Sequence, residues 1–332
     1  MTPPGQYALR LIGLATLVVA LAAMSLLAGK IWFSPADAWR ALVSGAPDLG
    51  GVIVRELRAP RAVLAILVGA GLGLSGAALQ GLLRNPLAEP GVLGISTGAS
   101  LGAVLSLYYG LSAAIPLALP VAGLIGAALT ALLVVALARN GGTIALILSG
   151  AAVSSFGGAL VALALNLAPS PWAATEIMVW LMGSLADRSW SHVMLAAPFV
   201  SVGAVLLFAS GRALDALSLG EATAESLGIR MGRARLTVVA GAALVVGAVT
   251  AVSGAIGFVG LIAGHLVRPL VGFSPSRTLP AAALAGAALV LAADIGVRLV
   301  PIGPELKLGV VTALVGAPFF FLLILRARKA LP

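Results

Sequence analysis

The positively charged residues with the most regular spacing are three arginines that precede an apolar segment. Arg55, Arg58 and Arg61 recur at every third position, and a helix is expected to begin at the last of them. A fourth arginine, Arg298, lies near the end of another apolar segment far along the chain. A cationic rim of this kind could bind an acidic protein surface and fix its register.

Carboxylates near these arginines offer a second interpretation. Asp294 and Arg298 are four residues apart, a spacing that places both side chains on one face of a helix. Glu56 lies within the arginine repeat. The arginines could therefore pair with these carboxylates, or extend to lipid headgroups, instead of binding a partner.

The segment 211–235 predicts two short helices joined by glycine. Its apolar and terminal positions are Leu214, Leu217, Leu219, Gly220, Glu221, Ala222, Ala224, Glu225, Leu227 and Gly228. Gly220 is expected to end the first helix and Gly228 the second, while Glu221 suits the positive N-terminal end of the second. The leucines and alanines give both helices an apolar side. We expect either a soluble protein that docks there or a helix pair that rests on lipid headgroups.

Several kinds of catalytic and ligand-binding site are missing from the sequence. The phosphate-binding pattern G-x-x-x-x-G-K-[ST] does not occur, and the only Gly-Lys pair, Gly29-Lys30, is followed by Ile31. His192 and His265 are distant from each other, no carboxylates have metal-ligand spacing, and cysteine is absent. We therefore predict no catalytic residue, no metal site and no cofactor bound by this chain.

The elements that carry these residues are predicted to be membrane-spanning helices. Hydrophobic residues make up 61% of the 332 positions and charged residues only 9%, whereas a soluble domain has about a quarter charged residues. Uncharged runs such as 11–29 and 62–83 reach the ~20 residues that a span needs. The 41 glycines suit close helix packing in lipid. The formal charge of +9 is spread over short loops, which does not indicate nucleic-acid binding.

The apolar runs predict an all-α integral membrane protein of about ten transmembrane helices. The predicted spans are 8–29, 61–82, 93–110, 113–138, 143–166, 190–210, 235–256, 257–270, 278–299 and 306–325. The glycine-rich segment 235–270 could be one bent helix or two. Two helices place more cations on the side of the N-terminus, as the positive-inside rule requires, and one helix reverses that bias. We therefore predict ten spans with both termini in the cytoplasm.

These spans are predicted to form one transmembrane domain over residues 1–332. Two connections lie on the periplasmic side: 30–60, which is rich in cations, and 167–189, where the apolar patch Ile177 to Leu185 predicts a short helix at the membrane surface. The segment 211–235 is the longest connection on the cytoplasmic side.

A series of short motifs runs in order from about residue 55 to the C-terminus. They are Arg58-Ala-Pro-Arg61, Ser75-Gly-Ala-Ala-Leu-Gln80, Arg84-Asn-Pro-Leu-Ala-Glu-Pro-Gly91, Leu93-Gly94, Thr97-Gly-Ala99, Trp180-Leu-Met-Gly-Ser-Leu185, the loop Leu214 to Gly228, Gly257-Phe-Val-Gly-Leu261, Asp294 to Arg298, and Glu305-Leu-Lys-Leu-Gly-Val-Val-Thr-Ala313. In this order they resemble the FecCD-type permeases for iron chelates, haem and vitamin B12 in bacterial type II ABC importers. One departure is Gly264-His265, where that family usually has Pro-His.

The resemblance implies a ten-helix permease in the bacterial inner membrane. It also implies a homodimer with a substrate path along its interface, two cytoplasmic ABC ATPase subunits that use the ATP, and a periplasmic substrate-binding protein. The fifth span, Ile144 to Asn166, would line the path. The implied site residues are Arg58, Arg61 and Arg298 for binding-protein docking, the loop 214–228 for ATPase coupling, and Asn85, Leu87, Gly142 and Thr143 for the cytoplasmic gate. Alternatively, Asn85-Pro86 could only stop a helix, and Gly142-Thr143 could be a plain turn.

The expected function is ATP-driven import of a large metal chelate by alternating access. Haem is the first expectation for the cargo, with a ferric siderophore or cobalamin as alternatives that the helices do not distinguish. A carrier driven by an ion gradient is the main rival, but only Asp294 lies well inside a predicted span as a possible proton relay. A membrane enzyme is disfavoured because paired acids, a metal site and an activated nucleophile are missing.

Overall fold

A computed structural model describes residues 3–43, 48–115, 117–139, 141–300 and 305–329, and the regular structure in these ranges is helical. The α-helices are α1 (Pro4–Leu27), α2 (Pro35–Val43), α3 (Leu49–Val52), α4 (Ala59–Leu82), α5 (Ile95–Tyr108), α6 (Leu111–Ala114), α7 (Ala118–Leu137), α8 (Gly142–Asn166), α9 (Pro171–Leu181), α10 (Trp190–Ala209), α11 (Gly211–Leu217), α12 (Glu221–Ser226), α13 (Met231–Ser253), α14 (Val259–Val271), α15 (Pro275–Leu299) and α16 (Leu308–Lys329). A π-helical stretch, Ile53–Arg58, joins α3 to α4, and a 3₁₀ turn, Pro90–Leu93, precedes α5.

The helical structure confirms the predicted all-α membrane fold. Seven helices in the described ranges are long and apolar enough to cross a membrane, and α5, α14 and α16 are shorter apolar helices that occupy the remaining predicted spans. The ambiguous segment 235–270 forms two helices. Gly254 ends α13 with a φ of +73°, a conformation that glycine adopts without strain.

Two connections differ from their predicted structure. The segment 30–60 is largely helical, because α2 lies within it and one continuous helix runs from Leu49 to Leu82. The helix predicted to begin at Arg61 therefore begins earlier, and Pro60 lies in the first turn of α4, directly after the π-helical stretch. In 167–189 the helix is Pro171–Leu181, which begins before the predicted patch. Ile177 and Leu185 are buried against other helices and do not lie on a free surface.

The centre of the bundle consists of α4, α13 and α15, whose residues are mostly buried. Glycines permit this close packing. A Cβ added at Gly69 would overlap the backbone of Gly286 on α15, and one at Gly76 would overlap Gly260 on α14. By contrast, few residues of α1 and α8 are buried in the single chain, so their apolar faces are open to lipid or to a second protein.

The bundle has two ends that carry different polar groups. At one end, the guanidinium of Arg298 donates to the carbonyl of Ser25, which joins the end of α15 to the end of α1. At the other end, the hydroxyl of Tyr7 donates to the carbonyl of Arg277 at 3.3 Å. We call the first, which holds Arg58, Arg61 and Arg298, the arginine end. The second, which holds α11 and α12, is the short-helix end.

Candidate functional site

The arginine end is organised around a fully buried carboxylate, Asp294 on α15. Arg61 at the start of α4 donates from Nε to Asp294 Oδ1 at 2.9 Å, and its Nη2 lies 2.8 Å from the same oxygen. Arg61 also contacts Glu305 with both terminal nitrogens. Arg298 Nη2 lies 3.0 Å from Asp294 Oδ2. One carboxylate therefore holds two arginines from different helices, which fixes α4 relative to α15.

The remaining donors of this cluster bind the C-terminal end of α1. Arg58 donates from Nη1 to the carbonyls of Leu26 and Leu27, both at 2.8 Å, and from Nη2 to the carbonyl of Ile31. Arg298 Nη1 donates to the carbonyl of Ala28 at 3.2 Å. The last carbonyls of a helix have no partner within it, so these guanidiniums cap α1.

The predicted docking arginines are therefore largely engaged inside the chain. Arg58 is only 7% exposed, and Arg298 is buried to a similar degree. The alternative interpretation, pairing with Asp294, is confirmed for Arg298 and extends to Arg61. Pairing of Arg58 with Glu56 does not take place, because Arg58 caps α1 instead. The docking role of the three arginines stays a prediction.

A cavity of about 220 Å³ lies against this cluster and brings in two cations that the sequence did not single out. Lys30 and Arg188 line it together with the three arginines, whereas Asp187 and Glu305 are its carboxylates. Among the described residues, Arg188 Nε has no hydrogen-bond partner. Burial lowers the pKa of Arg188, and the neighbouring Asp187 partly opposes that shift. Only the tertiary fold brings these two residues to the arginines.

At the short-helix end, the two helices predicted for 211–235 are confirmed as α11 and α12. Gly228 has a φ of +85° and follows the end of α12, as expected. Gly220, with a φ of +111°, does not end α11, which stops at Leu217; it directly precedes the first residue of α12. The leucines do not form one apolar side, however. Leu214 and Leu217 are buried in the chain's own core, whereas Leu219 is 66% exposed and Leu227 62% exposed.

Polar contacts attach this helix pair to the membrane helices. Asp215 Oδ1 on α11 accepts hydrogen bonds from Ser274 Oγ at 3.0 Å and from the Ser276 N–H at 2.9 Å, just before and within the first turn of α15. Glu221 on α12 forms an ion pair with Arg235 on α13. These contacts join α11 to the start of α15 and α12 to α13.

The residues predicted for the gate lie on two different connections. Asn85 Oδ1 accepts a hydrogen bond from the Leu87 N–H at 2.9 Å, so Asn85 shapes the turn after α4. Leu87 packs against a buried cluster that contains Leu261 and Ile262 of α14. Gly142 begins α8 with a φ of +68°, and a Cβ added there would lie 3.7 Å from Arg235 Nη2. Gly142 therefore lies beside the ion pair of α12. The gating role of all four residues stays a prediction.

Glu89 is a polar residue in the α4–α5 connection whose importance the sequence did not indicate. It accepts a hydrogen bond from the backbone N–H of Phe258, the residue that precedes α14. Burial raises the pKa of Glu89, and this hydrogen bond partly opposes that shift. The residue joins the connection that holds Asn85 and Leu87 to the start of α14.

Comparisons with known proteins agree with this architecture. The FecCD transport family matches residues 17–326. The chain belongs to that family. A vitamin B12 import system permease of Vibrio cholerae is 41% identical over 93% of this chain and 92% of its own length. A hemin transport system permease of Yersinia pestis is 37% identical over 82% of this chain and 83% of its own length.

A solved structure resembles the whole FecCD chain. It is described as the inward-facing conformation of a metal-chelate type ABC transporter, and it is similar with a TM-score of 0.85 at 32% identity. The match covers 95% of this chain and 98% of the other. The similar proteins are transport permeases and not enzymes, so the chain is a multi-pass permease with the fold of ABC importers for vitamin B12, haem and iron chelates.

Proposed function

We propose that this chain is the membrane-spanning subunit of an ATP-driven importer that moves a large metal chelate by alternating access. It would act as a homodimer in the bacterial inner membrane, with two cytoplasmic ATPase subunits that use the ATP and a periplasmic binding protein. Both termini, and the short-helix end, would face the cytoplasm. The observation that supports this most is the family match over residues 17–326, which includes both ends of the bundle.

The ATPase would dock on the exposed surface of α11 and α12. Leu219 and Leu227 supply the apolar contacts and Glu225, also exposed, a polar one. Movement of α12 would pass through the ion pair of Glu221 with Arg235 to the start of α8, where Gly142 and Thr143 lie. ATP binding would in this way reach the predicted gate without any ATP site in the permease.

The substrate path is proposed along α8 at an interface between two copies of the chain. Ile144, Leu148 and Phe156 on this helix are all more than half exposed. Such a row of exposed apolar side chains faces either lipid or a second subunit. A wall of small and apolar residues would hold a bulky chelate weakly and so allow its release.

The binding protein is proposed to dock at the arginine end. Acidic side chains of that protein would meet the cationic cavity formed with Arg58, Arg61 and Arg298. Charge reversal of Arg61 would also disturb the buried contacts with Asp294, so a cleaner test is Lys30→Glu, at an exposed residue of the same cavity. The expected result is weaker binding-protein affinity with an unchanged melting temperature. Arg40→Glu, an exposed cation outside the cavity, is the matched control. Equal affinities for both variants would contradict docking at this cavity.

For the cargo, cobalamin and haem are the two metal chelates to compare first. The sequence alone favoured haem as a first expectation. The relatives favour testing cobalamin before haem, because the vitamin B12 permease is 41% identical to this chain and the hemin permease 37%. We infer that the cargo is one of these metal tetrapyrroles, with cobalamin tested first.

The test is uptake into proteoliposomes that contain this chain, its ATPase and its binding protein, with ATP inside. Uptake of cobalamin or haem that requires all three components and ATP is the expected result. ATPase activity stimulated by the binding protein, without uptake of either compound, would retain the importer and point to ferric siderophores. Uptake driven by an ion gradient without the ATPase would replace the proposal with the secondary carrier.

A further inference from the structure

A cationic cavity at the short-helix end has no role in the proposed transport cycle. It has a volume of about 460 Å³ and lies between α4, α14, the start of α15 and the residue that follows α11. Its polar wall consists of Gln80, Arg84, Ser218, His265, Arg268 and Thr278. No carboxylate lines it among the described residues, so its permanent charges are those of two arginines.

The two arginines are held in different ways. Arg268 near the end of α14 donates from Nη2 to Gln80 Oε1 at 2.6 Å, which fixes its guanidinium in the wall. Arg84 follows the end of α4 and is exposed, with a left-handed φ of +48° that few residues other than glycine adopt. Asp215 on the adjacent α11 is engaged by Ser274 and Ser276 and does not line the cavity.

Helix dipoles explain only part of this arrangement. Cations are favourable at the C-terminal ends of helices, and both α4 and α14 end here. That interaction requires the charges but not an open cavity between them. The cavity places two guanidinium groups against a space large enough for a polyatomic anion.

The surroundings of the cavity indicate which anion it would take. Guanidinium groups match the geometry of phosphate oxygens. Apolar residues also line the cavity: Phe273, which is 79% exposed, together with Pro86, Pro269 and Pro275. A phospholipid has both parts, a phosphate for the arginines and acyl chains for the apolar rim. Basic pockets between helices on the cytoplasmic side of membranes bind anionic lipids in this way.

We propose that this cavity binds the phosphate of an anionic phospholipid from the cytoplasmic leaflet. The choice of leaflet rests on the orientation proposed above, whereas the binding itself does not. A lipid bound there contacts α4, α14 and the end of α11 at once. It therefore stabilises the packing of α11 against the membrane helices.

The experiment uses the purified full chain in a neutral detergent and measures the melting temperature. Phosphatidylglycerol, phosphatidylcholine and inorganic phosphate are titrated separately. The variants are Arg84→Gln, Arg84→Lys and, as a matched control with the same loss of charge, Arg139→Gln. Arg139 is an exposed arginine that does not line the cavity. Arg84→Gln leaves the bond between Arg268 and Gln80 in place, so the fold is expected to persist.

Phosphatidylglycerol is expected to raise the melting temperature of the wild type more than phosphatidylcholine does. In Arg84→Gln the half-saturating lipid concentration should rise about fivefold, as the loss of one lipid-facing cation predicts, whereas Arg84→Lys and Arg139→Gln should resemble the wild type. If inorganic phosphate raised the melting temperature as much as phosphatidylglycerol does, the cavity would be a site for a free anion and the lipid proposal would be overturned. The proposal would also be overturned if Arg84→Gln and Arg139→Gln had the same half-saturating lipid concentration, or if the two lipids raised the melting temperature of the wild type equally. The transport assay is independent of all these outcomes.

Discussion

Removing the charge of Asp294 should destabilise the arginine end more than any exposed ion pair can. Asp294→Asn keeps the size of the side chain but leaves Arg298 and Arg61 without their shared buried counter-ion. Arg61 keeps Glu305, and Arg298 keeps the carbonyl of Ser25, so the cluster is weakened and not abolished. The expected result is a lower free energy of unfolding with the helices still formed.

The magnitude follows from the distances. At an effective dielectric constant of about 20, opposite charges 2.8 Å apart, as in Arg61 with Asp294, attract by about 6 kcal/mol. Desolvation of the buried carboxylate cancels part of this attraction. Breaking a buried pair by removing one partner therefore costs about 3–5 kcal/mol.

The assay is a double-mutant cycle on the free energy of unfolding in mixed detergent micelles. It compares Asp294→Asn, Arg61→Met and the double variant, for which we expect a coupling energy of about 2–3 kcal/mol. The exposed pair of Arg40 and Asp37 is the matched control, with an expected coupling of about 0.2–1 kcal/mol. Additive effects of Asp294→Asn and Arg61→Met, within about 0.5 kcal/mol, would refute the reasoning that this cluster holds α4 to α15.

Three further variants test other parts of the molecule. Burial raises the pKa of Glu89 above its ordinary 4.5, so the folded state binds the proton more tightly and stability is lost as the pH rises through the folded-state pKa. Glu89→Gln keeps an acceptor for the Phe258 N–H, so its melting temperature should vary less above about pH 4.5, and an unchanged pH profile would contradict this. The double variant Leu219→Ser with Leu227→Ser should weaken ATPase binding at least about tenfold at an unchanged melting temperature, because burying each leucine contributes about 1.5–3 kcal/mol. An unaltered ATPase affinity would exclude this surface as the docking site. Gly76→Val should lower the free energy of unfolding by about 1–3 kcal/mol or more, because the valine side chain would overlap the backbone of α14. A melting temperature equal to that of the wild type would show that α4 and α14 can move apart to make room for it.

The amino-acid sequence alone determined the membrane fold and the local features of the short-helix end. The long spans follow from the lengths of apolar runs, and the end of α12 follows from Gly228. These are local properties, because a span depends on consecutive residues and a helix end on the conformation of one. The ordered motifs likewise predicted the family that residues 17–326 match.

Only the tertiary structure decided which of these side chains remain available to a partner. Arg61 meets Asp294 across 233 positions and Glu305 across 244, separations over which spacing carries no information. Leu217 and Leu219 are two positions apart, yet the first is buried where α11 packs on other helices and the second is exposed. The physical reason is that the burial of a side chain depends on which other helices pack beside it. A charge or a leucine is engaged or free according to what packs beside it.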